Sequence, residues 1–93
     1  MYWDILEVRA ESDHRLWLRF SDGTSGTVRL NADEFTGVLE PLRDQVFFDQ
    51  VGLEHGAPSW PSEIDLAPDA LYRELQKAKA GLPAVYSLPE HGS

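Results

Sequence analysis

The chain contains no cysteine. A disulfide framework, a zinc–thiolate centre and thiol catalysis are therefore excluded. Cations are also scarce: 8 lysines and arginines stand against 16 acids, for a formal net charge of −8 over 93 residues. Such a surface repels phosphate backbones and anionic headgroups, so direct binding to nucleic acid or to a membrane is not expected. No apolar run approaches the roughly 18 residues that cross a bilayer. The opening Met1-Tyr2-Trp3-Asp4 has neither a basic segment nor a long apolar stretch. No secretory leader is expected, and a cytoplasmic location is. The three histidines, His14, His55 and His91, share no metal-ligating spacing. There is no Gly-x-Ser-x-Gly elbow. Asp22-Gly23 with Gly26 is followed by strand pattern rather than by Gly-Lys-Ser/Thr and a helix. The expectation is a protein without metal, without cofactor and without enzymatic activity.

What is present is enough apolar and aromatic residue to close one modest core, 42% hydrophobic with three Trp, three Tyr and four Phe. The length suits one domain. Three strands are read at 3–10, 14–20 and 24–30. In the second, Leu16, Leu18 and Phe20 alternate with Arg15, Trp17 and Arg19. In the third, Val28 and Leu30 alternate with Thr27 and Arg29. A two-residue Asp22-Gly23 turn would set apolar side chains opposite polar ones. A three-residue turn, Ser21 to Gly23, sets Leu16 opposite Val28 and Leu18 opposite Gly26, and keeps one face apolar. Gly23 then takes the left-handed position of a bulged turn. With Glu11-Ser12-Asp13 as the first hairpin tip, Val8 falls opposite Leu16, and Leu6 opposite Leu18.

Pro41 forbids a long helix in the next stretch. Residues 37–43 read as a short helical turn burying Val38, Leu39 and Leu42. Residues 46–54 read as a fourth strand with Phe47, Val51 and Leu53 on one face, ended by Gly56-Ala57-Pro58. Trp60 and 64–66 add a short fifth strand. Residues 68–79 carry the clearest helix signal: Pro68 in the first turn, Asp69 at the positive end, Lys77 and Lys79 at the negative end, and Leu71, Leu75 and Ala78 as a stripe. Gly81 and Pro83 end it. The expected fold is α+β: a small antiparallel β-sheet of about four strands, a β-meander, with a short helical turn and one C-terminal α-helix. The domain is placed at 1–80, with a flexible C-terminal tail at 81–93.

The segments Phe20-Ser21-Asp22-Gly23, Gly37-Val38-Leu39-Glu40-Pro41-Leu42-Arg43-Asp44, Phe47-Phe48, Trp60-Pro61 and Asp65-Leu66-Ala67-Pro68-Asp69-Ala70-Leu71-Tyr72 follow one another in an order and spacing that are specific when taken together. In these the chain resembles the bacterial "domain of unknown function 2442" family over roughly residues 1–75. Gln45 stands where a proline is common, and Ser62-Glu63 where Asn-Gly is common. The resemblance implies no catalytic residues and no cofactor. It does imply company, since some members are fused to helix-turn-helix DNA-binding domains and others are suggested as parts of toxin–antitoxin pairs.

The candidate site follows from the alternation. Arg15, Trp17, Arg19 and Arg29 point away from the apolar face and form a basic–aromatic cluster on an acidic protein, with Glu7 expected beside Trp17. Trp and Arg are the types most enriched at binding hot spots, and charge complementarity makes an acidic segment the fitting ligand. The expected role is a non-enzymatic protein-interaction domain with a protein partner, antitoxin-like or accessory. The alternative is a component of a DNA-associated transcriptional regulator acting through a separate DNA-binding domain or partner chain. Self-association is left open. Arg43 is read as a structural ion pair with Asp65 or Asp69, Asp65 as a cap for the helix, and Trp60 as a lid on the core.

Overall fold

A computed structural model describes residues 3–86. The chain is α+β. Strands β1 (Ile5–Glu11), β2 (Arg15–Phe20) and β3 (Ser25–Leu30) form an antiparallel meander. The turn between β2 and β3 has the expected three-residue form. Leu16 lies opposite Val28 and Leu18 opposite Gly26, and Gly23 has φ +90°. The first hairpin differs: its loop is Ser12 to His14, so Val8 faces Leu18 and Ala10 faces Leu16. A slip of two residues keeps each side chain on its expected face, because the side-chain period of a strand is two. Leu6 is the exception. A bulge between Ile5 and Glu7 turns Leu6 outward, 52% exposed, and buries Ile5 in its place.

After two 3-10 segments (Ala32–Glu34 and Gly37–Arg43), a short helix α1 occupies Gln45–Phe48. The 3-10 period of three brings Leu39 and Leu42 to one side and leaves Val38, expected inside, 80% exposed. The strand expected over 46–54 is likewise corrected. Asp44 caps α1 by accepting a hydrogen bond from the Val46 amide at 3.0 Å. The helix then buries Phe48 rather than Phe47, and only β4 (Gly52–Glu54) is strand. His55 and Gly56, both at positive φ, turn β4 tightly into β5 (Ala57–Trp60), so the glycine joins two strands instead of ending one. With β6 (Ile64–Asp65) these make a second, three-stranded antiparallel sheet.

Helix α2 spans Pro68–Lys79, as its pattern predicts. Leu71 and Leu75 are buried and Ala78 is exposed, since the last turn runs past the sheet. The helix crosses β3 so closely that a Cβ built on Gly26 would lie 3.0 Å from Leu75 Cδ2. Gly81, at φ +84°, ends it. The Leu82 amide donates to the Lys77 carbonyl and the Gly81 amide to that of Ala78, the paired pattern of a Schellman cap.

The chain then returns to the first sheet. Strand β7 (Val85–Tyr86) pairs in parallel with β3, giving the order β1-β2-β3-β7. The sheet is therefore mixed, not purely antiparallel, because a stretch read as tail supplies an edge strand. Residues 87–93 of that tail lie outside the described residues.

Candidate functional site

The inner face of the four-stranded sheet is filled by the core. Its outer face carries Glu7, Arg9 and Glu11 from β1, Arg15, Trp17 and Arg19 from β2, and Ser25, Thr27 and Arg29 from β3. Arg9, Arg19, Thr27 and Arg29 are exposed, and Arg15 and Trp17 are half-buried. All four residues expected at a partner surface thus share one face, and the register brings them together. Arg9 joins them and was missed. The alternation Val8-Arg9-Ala10 carries the signal, and it gains meaning only once the true register sets Arg9 opposite Trp17. Glu7, expected beside Trp17, lies opposite Arg19 instead.

The arginines differ in how they are held. The Arg9 guanidinium carbon sits 4.4 Å from the Trp17 ring centre, a cation–π arrangement that flattens both side chains on the sheet. The Glu7 carboxylate bridges Arg9 at 3.6 Å and Arg19 at 3.3 Å. Arg15 donates from Nε to the Ser12 carbonyl at 3.0 Å and from Nη2 to the Ser12 hydroxyl at 3.3 Å. Among the described residues Arg29 makes no ion pair or side-chain hydrogen bond. It lies directly opposite Arg15. The Leu30 amide donates to the His14 carbonyl and the Phe20 amide to that of Thr24, so the Arg15–Arg29 pair falls on the non-hydrogen-bonded positions. There, side chains approach most closely, and like charges destabilise. This face sets four arginines against two glutamates on a chain of net charge −8.

The other residues singled out in the sequence are scaffold. Trp60 is buried and donates from Nε1 to the Phe48 carbonyl at 2.7 Å, with the two rings 5.7 Å apart. Arg43 pairs with Glu40 at 3.9 Å, not with Asp65 or Asp69. Asp65 does not cap α2, whose cap residue is Ala67. Instead Asp69 pairs with Arg73 one turn along. Asp22 ties the β2–β3 turn to α2. One carboxylate oxygen accepts from the Tyr72 hydroxyl at 2.6 Å, and the other from the Thr24 amide at 2.9 Å. The Tyr72 hydroxyl, and after it the Thr24 amide, hold the Asp22 carboxyl below its usual range. Phe20 meets Tyr72 edge-on at 5.0 Å.

Two open clefts of about 290 Å³ flank this framework. One lies between the Asp13-His14 turn and residues 29–33. The other, by β5 and β6, is lined by Glu54, Glu63 and Asp65. Among the described residues no group of three or more His, Cys, Asp or Glu side chains is placed to hold a metal ion, and no helix is long and apolar enough to cross a membrane.

No curated protein and no solved structure matches the chain. The segments that tie turn to helix and ring to carbonyl fall inside one matching family model, which covers residues 5–77 and is described as a protein of unknown function (DUF2442); the chain belongs to that family.

Proposed function

We propose that this domain is a non-enzymatic interaction module that receives an acidic segment of a partner protein on the outer face of its first sheet. The observation that carries the reading is the Arg15–Arg29 pair: two like charges opposed on one face, neither with a counter-ion among the described residues, Arg15 being held only by the neutral Ser12 acceptors. Such a pair costs the sheet stability, and a carboxylate placed between the two guanidinium groups would remove that cost. Trp17 and Arg9 beside it supply apolar area that needs little further ordering on binding. The finer role, an accessory or antitoxin-like subunit beside a separately encoded partner, rests on the family resemblance alone.

The test is affinity capture from the native host with the wild-type chain and with the double variant Arg15→Glu, Arg29→Glu. A stoichiometric protein retained by the wild type and lost with the variant, at an unchanged thermal melt, is the expected result. Equal retention by both would refute the reading. Recovery of duplex DNA through a DNA-binding chain would favour the alternative role in a DNA-associated regulator.

A further inference from the structure

Strand β3 is six residues long, yet β7 pairs with only two of them, Arg29 and Leu30. The pairing is parallel. The Arg29 amide donates to the Ala84 carbonyl at 3.0 Å, and the Asn31 amide to the Tyr86 carbonyl at 2.8 Å. Gly26, Val28 and Leu30 direct their backbone groups toward β2, so those of Ser25 and Thr27 face outward past the start of β7. Among the described residues the edge is therefore a half-occupied template for one more strand.

The occupying segment shows what fits. Val85 lies beside Arg29 on the outer face, while Tyr86 lies beside Leu30 on the inner face and meets the Phe35 ring edge-on at 6.4 Å. Inward positions thus take an apolar or aromatic side chain between Phe35 and α2. Outward positions lie next to Arg29, which has no ion-pair partner among the described residues, and one strand from Arg15. Val85 leaves that charge unanswered.

We propose that the β3 edge is a docking site for an extended segment of a partner protein, which adds as a strand in the sense of β7 and displaces Val85–Tyr86. Its residues alternate, with Glu or Asp outward against Arg29 and Arg15 and an apolar or aromatic residue inward against Phe35. Backbone bonds along Ser25–Asn31 supply affinity, and the alternation supplies specificity. The chain's own strand acts as a placeholder that any partner must outcompete. This rests on the acidic-partner reading above and adds the mode of binding to it.

The experiment uses the full chain, labelled with nitrogen-15, and an acetylated, amidated peptide of sequence Glu-Tyr-Glu-Val-Glu-Tyr as probe. Expected are saturable shifts of the Ser25–Asn31 amides, with loss of exchange protection at Tyr86, the β7 amide that faces β3 in this parallel pairing. Loosening the placeholder by Tyr86→Ala should tighten peptide binding about three- to tenfold, because the open state is then more populated. Val85→Ser should act in the same direction and leaves the Phe35 contact intact. Arg29→Glu should weaken binding at least tenfold. Protection retained at Tyr86 at saturating peptide, or no tightening in either loosened variant, would overturn strand addition. Should the peptide shift Arg9, Trp17 and Arg19 while β7 stays in place, the outer-face reading survives and strand addition falls. If no amide shifts, both fall.

Discussion

Ser62 and Glu63 hold φ of +70° and +60° at the turn between β5 and β6. Neither residue favours the left-handed region, which costs of order 1 kcal/mol or more per residue. These are the two positions where Asn-Gly is common in sequences of this kind. The double change Ser62→Asn, Glu63→Gly should therefore raise unfolding stability by about 1 kcal/mol, read from a urea melt. Trp60 is the opposite case. Trp60→Phe keeps an aromatic ring against Phe48 but removes the shorter of two hydrogen bonds to the Phe48 carbonyl, leaving only the Val51 amide at 3.3 Å, and should lose about 0.5–1.5 kcal/mol in the same melt. Asp22 adds a pH dependence of definite sign. Its folded pKa lies below the ordinary aspartate value of 3.8, so the stability it contributes is present above that value and is lost as pH falls through the folded pKa. Tyr72→Phe removes the largest cause, and the acid limb of a stability–pH curve should flatten below pH of about 4.

Among the elements, the β2–β3 hairpin was the most legible, because a strict alternation of apolar and polar residues admits one register and that register dictates the loop. Gly23→Ala should cost about 1 kcal/mol or more, since φ of +90° is unfavourable for any residue with a Cβ. Helix α2 was equally legible from Pro68, the terminal charges and Gly81. What sequence periodicity missed lies where burial is decided by neighbours distant in the chain. Residues 45–48 alternate weakly, and their helix follows from the Asp44 cap, the packing of Phe48 beneath Trp60, and Gln45. The Gln45 side chain donates from Nε2 to the Glu11 carbonyl at 3.1 Å and accepts from the His14 amide at 3.1 Å, so it clamps the first hairpin to α1. That contact accounts for a glutamine where proline is common, and no local pattern foretells it. Strand β7 was missed for a related reason. Two residues carry no period, and Val85–Tyr86 become strand only because β3 has an edge to offer. The candidate face was legible as a set of residues, but Arg9 and its place over Trp17 required the register of β1.

At the scale of the whole molecule, stability and recognition make opposite demands on one pair of residues. Arg15 and Arg29 face each other on non-hydrogen-bonded positions of the central strands. A protein selected for stability alone would set a residue of opposite charge at one of the two sites, as it does with Glu7 between Arg9 and Arg19. Arg29→Thr should then stabilise the isolated domain by about 0.2–1 kcal/mol, because it relieves cross-strand repulsion and adds a β-branched residue to a strand. Part of the gain should vanish in high salt, which screens exposed charges within about 3 Å at 1 M. The same substitution should weaken retention of an acidic partner, through a faster off-rate if the charge is desolvated on binding, and through a slower on-rate if it only steers. Thermal melts at low and high salt, paired with capture of the partner, read both effects on one variant. A rise in midpoint together with lost capture is the signature of a residue kept for binding. If the midpoint falls instead, Arg29 serves the fold, and the outer face loses the observation on which its assignment rests.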